Sequence, residues 1–180
     1  KITDTLPIKY RSGSSSSEVI AVVLASDWHL EEPVYPEKVN GLNKFNLQIA
    51  ELRAKEFFQN TLRLVEKEKT SCKIDTLVLA LLGDFFSGFI HKELEQTCLL
   101  TPPMAAIFAQ KLLASGIKFL LENSDLRLII PCHVGNHSRT TIKVQFANEQ
   151  AMSYETIMYY NLEEMFSKEK RVEFRIADSY

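Results

Sequence analysis

Asp27 and His29, Asp84, and the pair Asn136-His137 are the residues whose types and spacing could do chemistry together. Asp27 and His29 stand one residue apart, so on an extended segment they can bend an oxygen and an imidazole toward the same ion. Asp84 carries two carboxylate oxygens and could bridge two cations at the separation of about 3.5–4 Å that two-metal sites use. Asn136 offers a neutral amide oxygen. Mixed oxygen and nitrogen ligation of this kind suits manganese, iron or zinc better than calcium or copper. The expected cofactor is therefore a pair of divalent metal ions, manganese first. His137, directly after Asn136, is placed to protonate a leaving group. Gly83 and Gly135, just before the functional side chains, let the backbone turn sharply and approach an ion closely.

Each of these segments follows a short apolar run. Residues 19–25, 77–82 and 126–131 are rich in Val, Ile and Leu and read as strands buried on both faces. Helical patterns lie between them. Leu47, Ala50, Ala54, Phe58, Leu62 and Val65 recur at three- and four-residue steps. Ala105, Phe108, Leu112 and Phe119 mark a second helix, which Pro102 and Pro103 would start. Tyr154, Met158, Leu162 and Met165 mark a third, and residues 171–176 read as a further strand. Strands alternating with helices predict an α/β layered domain. In such sheets the carboxyl ends of the strands share one edge, and ligands bind in the crevice outside it. Three distant segments would thus surround one small volume.

The domain expected is residues 18–180, preceded by a flexible lead-in over 1–17 that contains the low-complexity stretch RSGSSSS. A chain of 180 residues can bury a real core. Its apolar runs fall well short of the roughly 18 residues a membrane span needs, and no signal-peptide pattern is visible. Cys72, Cys98 and Cys132 are odd in number and match no zinc-ligand spacing, which reads as a reducing, cytoplasmic setting. A net charge of -2 offers no global attraction for a polyanion, so any nucleic-acid partner would need a local patch or a metal.

In order and context, D-x-H, G-D and G-N-H resemble the calcineurin-like metallophosphoesterase superfamily. The stretches GDFFSGFIHKEL and GNHSRTT look most like its phage and bacterial phosphoesterase-like branch. The resemblance runs from about residue 19 to 139. It implies an α/β/β/α sandwich in which Asp27 and His29 hold the first metal, Asp84 bridges, Asn136 holds the second, and His137 assists the leaving group. It also implies hydrolysis of a phosphodiester or phosphomonoester, nucleic acid among the candidates. Two departures stand out. Many members carry an acidic residue where this chain has Ser138. The family also completes its site with later histidines, and no histidine follows His137, so the C-terminal part of the sandwich is expected to be missing. The alternative is a phosphoesterase-like module that binds a partner or phosphate without turnover.

Neighbouring residues have two readings each. Arg139 would contact a substrate phosphate or lie on the surface, and His91 would line the substrate side of the cleft or pack elsewhere. His133 reads as structural. Trp28 walls the cleft or fills the core, while Phe85, Phe86 and Phe89 are expected to pack beneath the metal loop.

Overall fold

The computed structural model describes residues 17–143 and 145–177, so the lead-in expected over 1–17 lies, apart from Ser17, outside the described residues. Four strands form one parallel sheet: β1 (Ala21–Ala25), β2 (Thr76–Leu81), β3 (Arg127–Cys132) and β4 (Val172–Ile176). Their spatial order is their chain order. The long helices are α1 (Leu47–Glu68), α3 (Pro102–Glu122) and α4 (Tyr154–Met165), with a single turn, α2 (Leu94–Thr97), before α3. The chain is thus mixed α/β.

Local chemistry sets the helix ends. The side chain of Asn46 accepts the amide of Ile49 to cap α1, and that of Ser153 accepts the amide of Glu155 to cap α4. Pro102 opens α3, where its missing N–H is not needed. Gly116 lets α1 and α3 touch, because a Cβ there would lie 2.1 Å from the Phe58 ring. Crossovers between parallel strands are nearly always right-handed, so strands added in one direction place their helices on one face of the sheet. The burial follows. Leu77, Leu79, Leu81, Leu128 and Ile130 are buried beneath Ala109, Leu113 and Ile117 of α3, flanked by Phe58 and Leu62 of α1 and Met158 and Tyr159 of α4. By length and composition α3 is apolar enough to cross a membrane. Here it is the central helix, its apolar stripe against the sheet.

The strands are not buried on both faces, contrary to the reading of their apolar runs. Val22 and Leu24 point away from the helices and are 62% and 61% exposed, and Leu82 beyond β2 is also exposed. Val78, Ile129 and Pro131 on that face are only half-buried. At its β4 side the open face becomes charged, with Glu173 paired to both Arg127 and Arg175. An apolar run therefore reported strand propensity correctly while overstating coverage.

This asymmetry has a measurable consequence. Leu79→Ala, on the covered face, should cost about 2–5 kcal/mol in urea unfolding, whereas Leu24→Thr should change stability by no more than about 0.5 kcal/mol.

Candidate functional site

The loops leaving β1, β2 and β3 meet at the carboxyl edge of the sheet. The first two stay bonded beyond the strands: the amides of Asp27, His29 and Leu30 donate to the carbonyls of Gly83, Asp84 and Phe85 at 3.1, 3.3 and 3.0 Å. To do so, the backbone enters the left-handed region at Asp27, His29 and Asp84, with φ of 56°, 43° and 54°. Such conformations cost on the order of 1–3 kcal/mol each for side-chain-bearing residues and persist where the surroundings over-determine them, commonly at functional sites.

The second and third loops interlock through their glycines. A Cβ on Gly83 would lie 2.0 Å from the Gly135 nitrogen, and one on Gly135 would lie 2.0 Å from Asp84 Oδ1. The Asp84 carboxylate therefore occupies the space any larger residue at 135 would need. From there its Oδ1 accepts the His137 amide at 2.8 Å. Its other oxygen accepts no hydrogen bond among the described residues.

Histidine orientations follow from their partners. Glu32 Oε2 can only accept while ionised, so the Ser87 hydroxyl donates to it at 2.8 Å, and the Ser87 oxygen then accepts from His29 Nδ1 at 2.8 Å. This leaves the lone pair of neutral His29 on Nε2, the arrangement by which an outer partner prepares an imidazole for a cation. His137 Nδ1 faces the Ser87 carbonyl at 3.0 Å, which likewise puts its proton on Nδ1. The rings of His29 and His137 meet edge to face at 4.7 Å between centroids, with His91 6.2 Å from His137. Beneath them, buried Glu31 accepts the amides of Ser87 and Gly88 at 2.8 and 3.1 Å.

Glu155, from the first turn of α4, ties the platform together. One oxygen accepts the Phe85 amide at 2.9 Å, and the other accepts both the Gly135 amide and the Ser138 hydroxyl at 2.8 Å. Ser138 also shares a hydrogen bond with Ser153, at 2.6 Å. The carboxylate of Glu155 thus organises the loop around Asn136. Nothing in the sequence distinguishes Glu155 from an exposed acid at a helix start, and Glu31, Glu32 and Ser87 were equally unmarked.

Other candidates fall differently. Asp27 and Asn136 are exposed, with no side-chain hydrogen bond among the described residues. Arg139 donates to the carbonyls of Asn136, Thr141 and Ile142, holding its own loop. His91 is exposed, as is Phe89, which does not join Phe85 and Phe86 in the core. His133 Nδ1 bonds the Val134 carbonyl while its own carbonyl accepts the buried Tyr159 hydroxyl. Burial pushes the Cys132 thiol far up and, helped by Glu31 and Glu32, the Cys98 thiol to about 12, so both stay protonated.

As donors, the Asp84 oxygen and His29 Nε2 suit a borderline divalent ion. Among the described residues, however, no group of three His, Cys, Asp or Glu side chains is arranged to hold one. No family model, curated protein or solved structure matches the chain.

Burial raises the Glu155 carboxyl from 4.5 to about 7, against the opposing pull of its three hydrogen bonds. The native state therefore binds this proton more tightly than the unfolded chain. Its contribution is fully present below about pH 4.5 and is lost as pH rises toward 7, a change on the order of 3 kcal/mol. Burial raises Glu31 in the same direction. Urea unfolding of Glu155→Gln between pH 5 and 8 should show lower stability with a shallower pH slope; a slope equal to the parent's would contradict this account.

Proposed function

We propose that this chain is a metal-dependent phosphoesterase. What supports the reading is that the three loops carrying Asp27 and His29, Asp84, and Asn136 and His137 meet at one sheet edge, tied by the backbone bonds from Asp27 and His29 to Gly83 and Asp84 and by the Asp84–His137 bond. Asp27, His29, Asp84 and Asn136 would hold two divalent cations, manganese first and iron or zinc as alternatives, with Asp84 shared between them. When bound, they would supply Lewis acidity at the phosphoryl oxygens.

The remaining work falls to the chain. Asp84 is held rigid by the Gly135 cradle and the His137 amide. Ser87 and Glu32 keep the His29 lone pair on Nε2. Since His137 already directs Nδ1–H to Ser87, it would release a proton to a leaving oxygen from Nε2 and must be an imidazolium to do so. Phosphate diesters and monoesters, including those of nucleic acid, are the substrate class, with a cytoplasmic setting.

The finer architecture belongs to the same proposal. The face formed by Val22, Leu24, Val78, Ile129 and Pro131 is apolar and incompletely covered, as the inner face of a two-sheet sandwich would be without its partner sheet. An α/β/β/α sandwich would cover it.

The lack of a three-ligand cluster favours one other reading, a phosphoesterase-like module that binds without turnover. Two experiments separate them. With manganese, the parent should hydrolyse bis(p-nitrophenyl) phosphate and Asp84→Asn should lose activity while its circular dichroism is unchanged; equal turnover by the variant would overturn the assignment. Calorimetric titration should show two manganese sites for the hydrolase and none for the binding module.

A further inference from the structure

A cleft of about 510 Å³ opens beside the first loop, with Asp27, His29 and Glu32 among the residues that line it. That volume is within the range of small-molecule sites. The small side chains of Ala50 and Ala54 on α1 leave the space, and Trp28, Phe45 and Phe57 line it. Trp28 is braced rather than loose: its ring meets Phe57 and Phe85 edge to face at 5.5 and 5.0 Å. Arg53, also lining the cleft, carries its guanidinium 5.2 Å from the centre of the Phe45 ring. It makes no ion pair among the described residues.

We propose that this cleft binds the base of a nucleotide-sized phosphate ester, with its phosphate toward Asp27 and His29 and Arg53 meeting its polar edge or stacking on its ring. A planar heteroaromatic group matches both halves of the cleft. It gains stacking against aromatic side chains, and its ring nitrogens and carbonyls accept from a guanidinium that already lies over an aromatic face. An aliphatic phosphomonoester or a phosphoserine peptide would leave the aromatic walls unfilled. A net charge of -2 favours a mononucleotide-sized ligand over a long polyanion. The assignment of the ester rests on the phosphoesterase reading, while the binding of the base does not.

Trp28 is the only tryptophan and lines the cleft, so selectively excited fluorescence comes from that one side chain. AMP titrated into the metal-free chain should quench Trp28 saturably. Ribose 5-phosphate, which keeps the sugar and phosphate, should bind about tenfold more weakly. Arg53→Ala should weaken AMP by a similar factor with unchanged circular dichroism. Equal affinity for AMP and ribose 5-phosphate, or no response to AMP, overturns the proposal, as does unaltered AMP binding by the variant. Saturable AMP binding without manganese-dependent hydrolysis would retain the cleft and defeat the phosphoesterase reading. Hydrolysis without AMP binding would do the reverse.

Discussion

The Asp84 carboxylate sits in the space that a side chain at Gly135 would fill, and from there it receives the His137 amide. Much of the candidate site depends on that fit. It locks the loop after β2 to the loop after β3, while the ladder from Asp27 to Leu30 ties the loop after β1 to the same segment. Glu155 then anchors both sides of the interlock through three hydrogen bonds. Burying a carboxylate this way has a stability cost, visible in its raised pKa. Left-handed backbone at Asp27, His29 and Asp84 adds to it. Cost concentrated at one edge, with an ordinary core beneath, is the pattern expected when local stability is given up for a functional arrangement.

The sheet explains why these loops can meet at all. Parallel strands in chain order deliver successive carboxyl ends side by side, so segments more than fifty residues apart become neighbours. The same winding puts α1, α3 and α4 in one layer and leaves the opposite face of β1 to β3 uncovered. The aromatic cleft lies where α1 and the loop after β1 diverge, next to the Asp27-His29 turn. Scaffold, platform and cleft are thus consequences of one topology.

Much of this was legible in the sequence. The three long helices follow their three- and four-residue apolar spacing, and the four strands follow their runs of branched aliphatic residues. Those runs could not report coverage: Val22 and Leu24 are as apolar as Leu79 yet lie on the open face. The positions of Asp27, His29, Asp84, Asn136 and His137 near strand ends were readable because each lies in the loop that leaves an apolar run. The groups that orient them were not. Glu155 and Ser87 act through burial and through partners on other segments of the chain, such as Phe85 for Glu155 and His29 for Ser87, and neither leaves a periodic or spacing signal. Trp28 had two readings, and it serves both, bracing on the core aromatics while lining the cleft.

On the proposed function, the interlock around Asp84 would prepare a two-cation site. Anomalous diffraction from manganese-soaked crystals tests it directly. Two peaks about 3.5–4 Å apart, with Asp84 between them and His29 Nε2 on one, are the predicted result. Ordered density for all three loops with no peak beside Asp84 would contradict it.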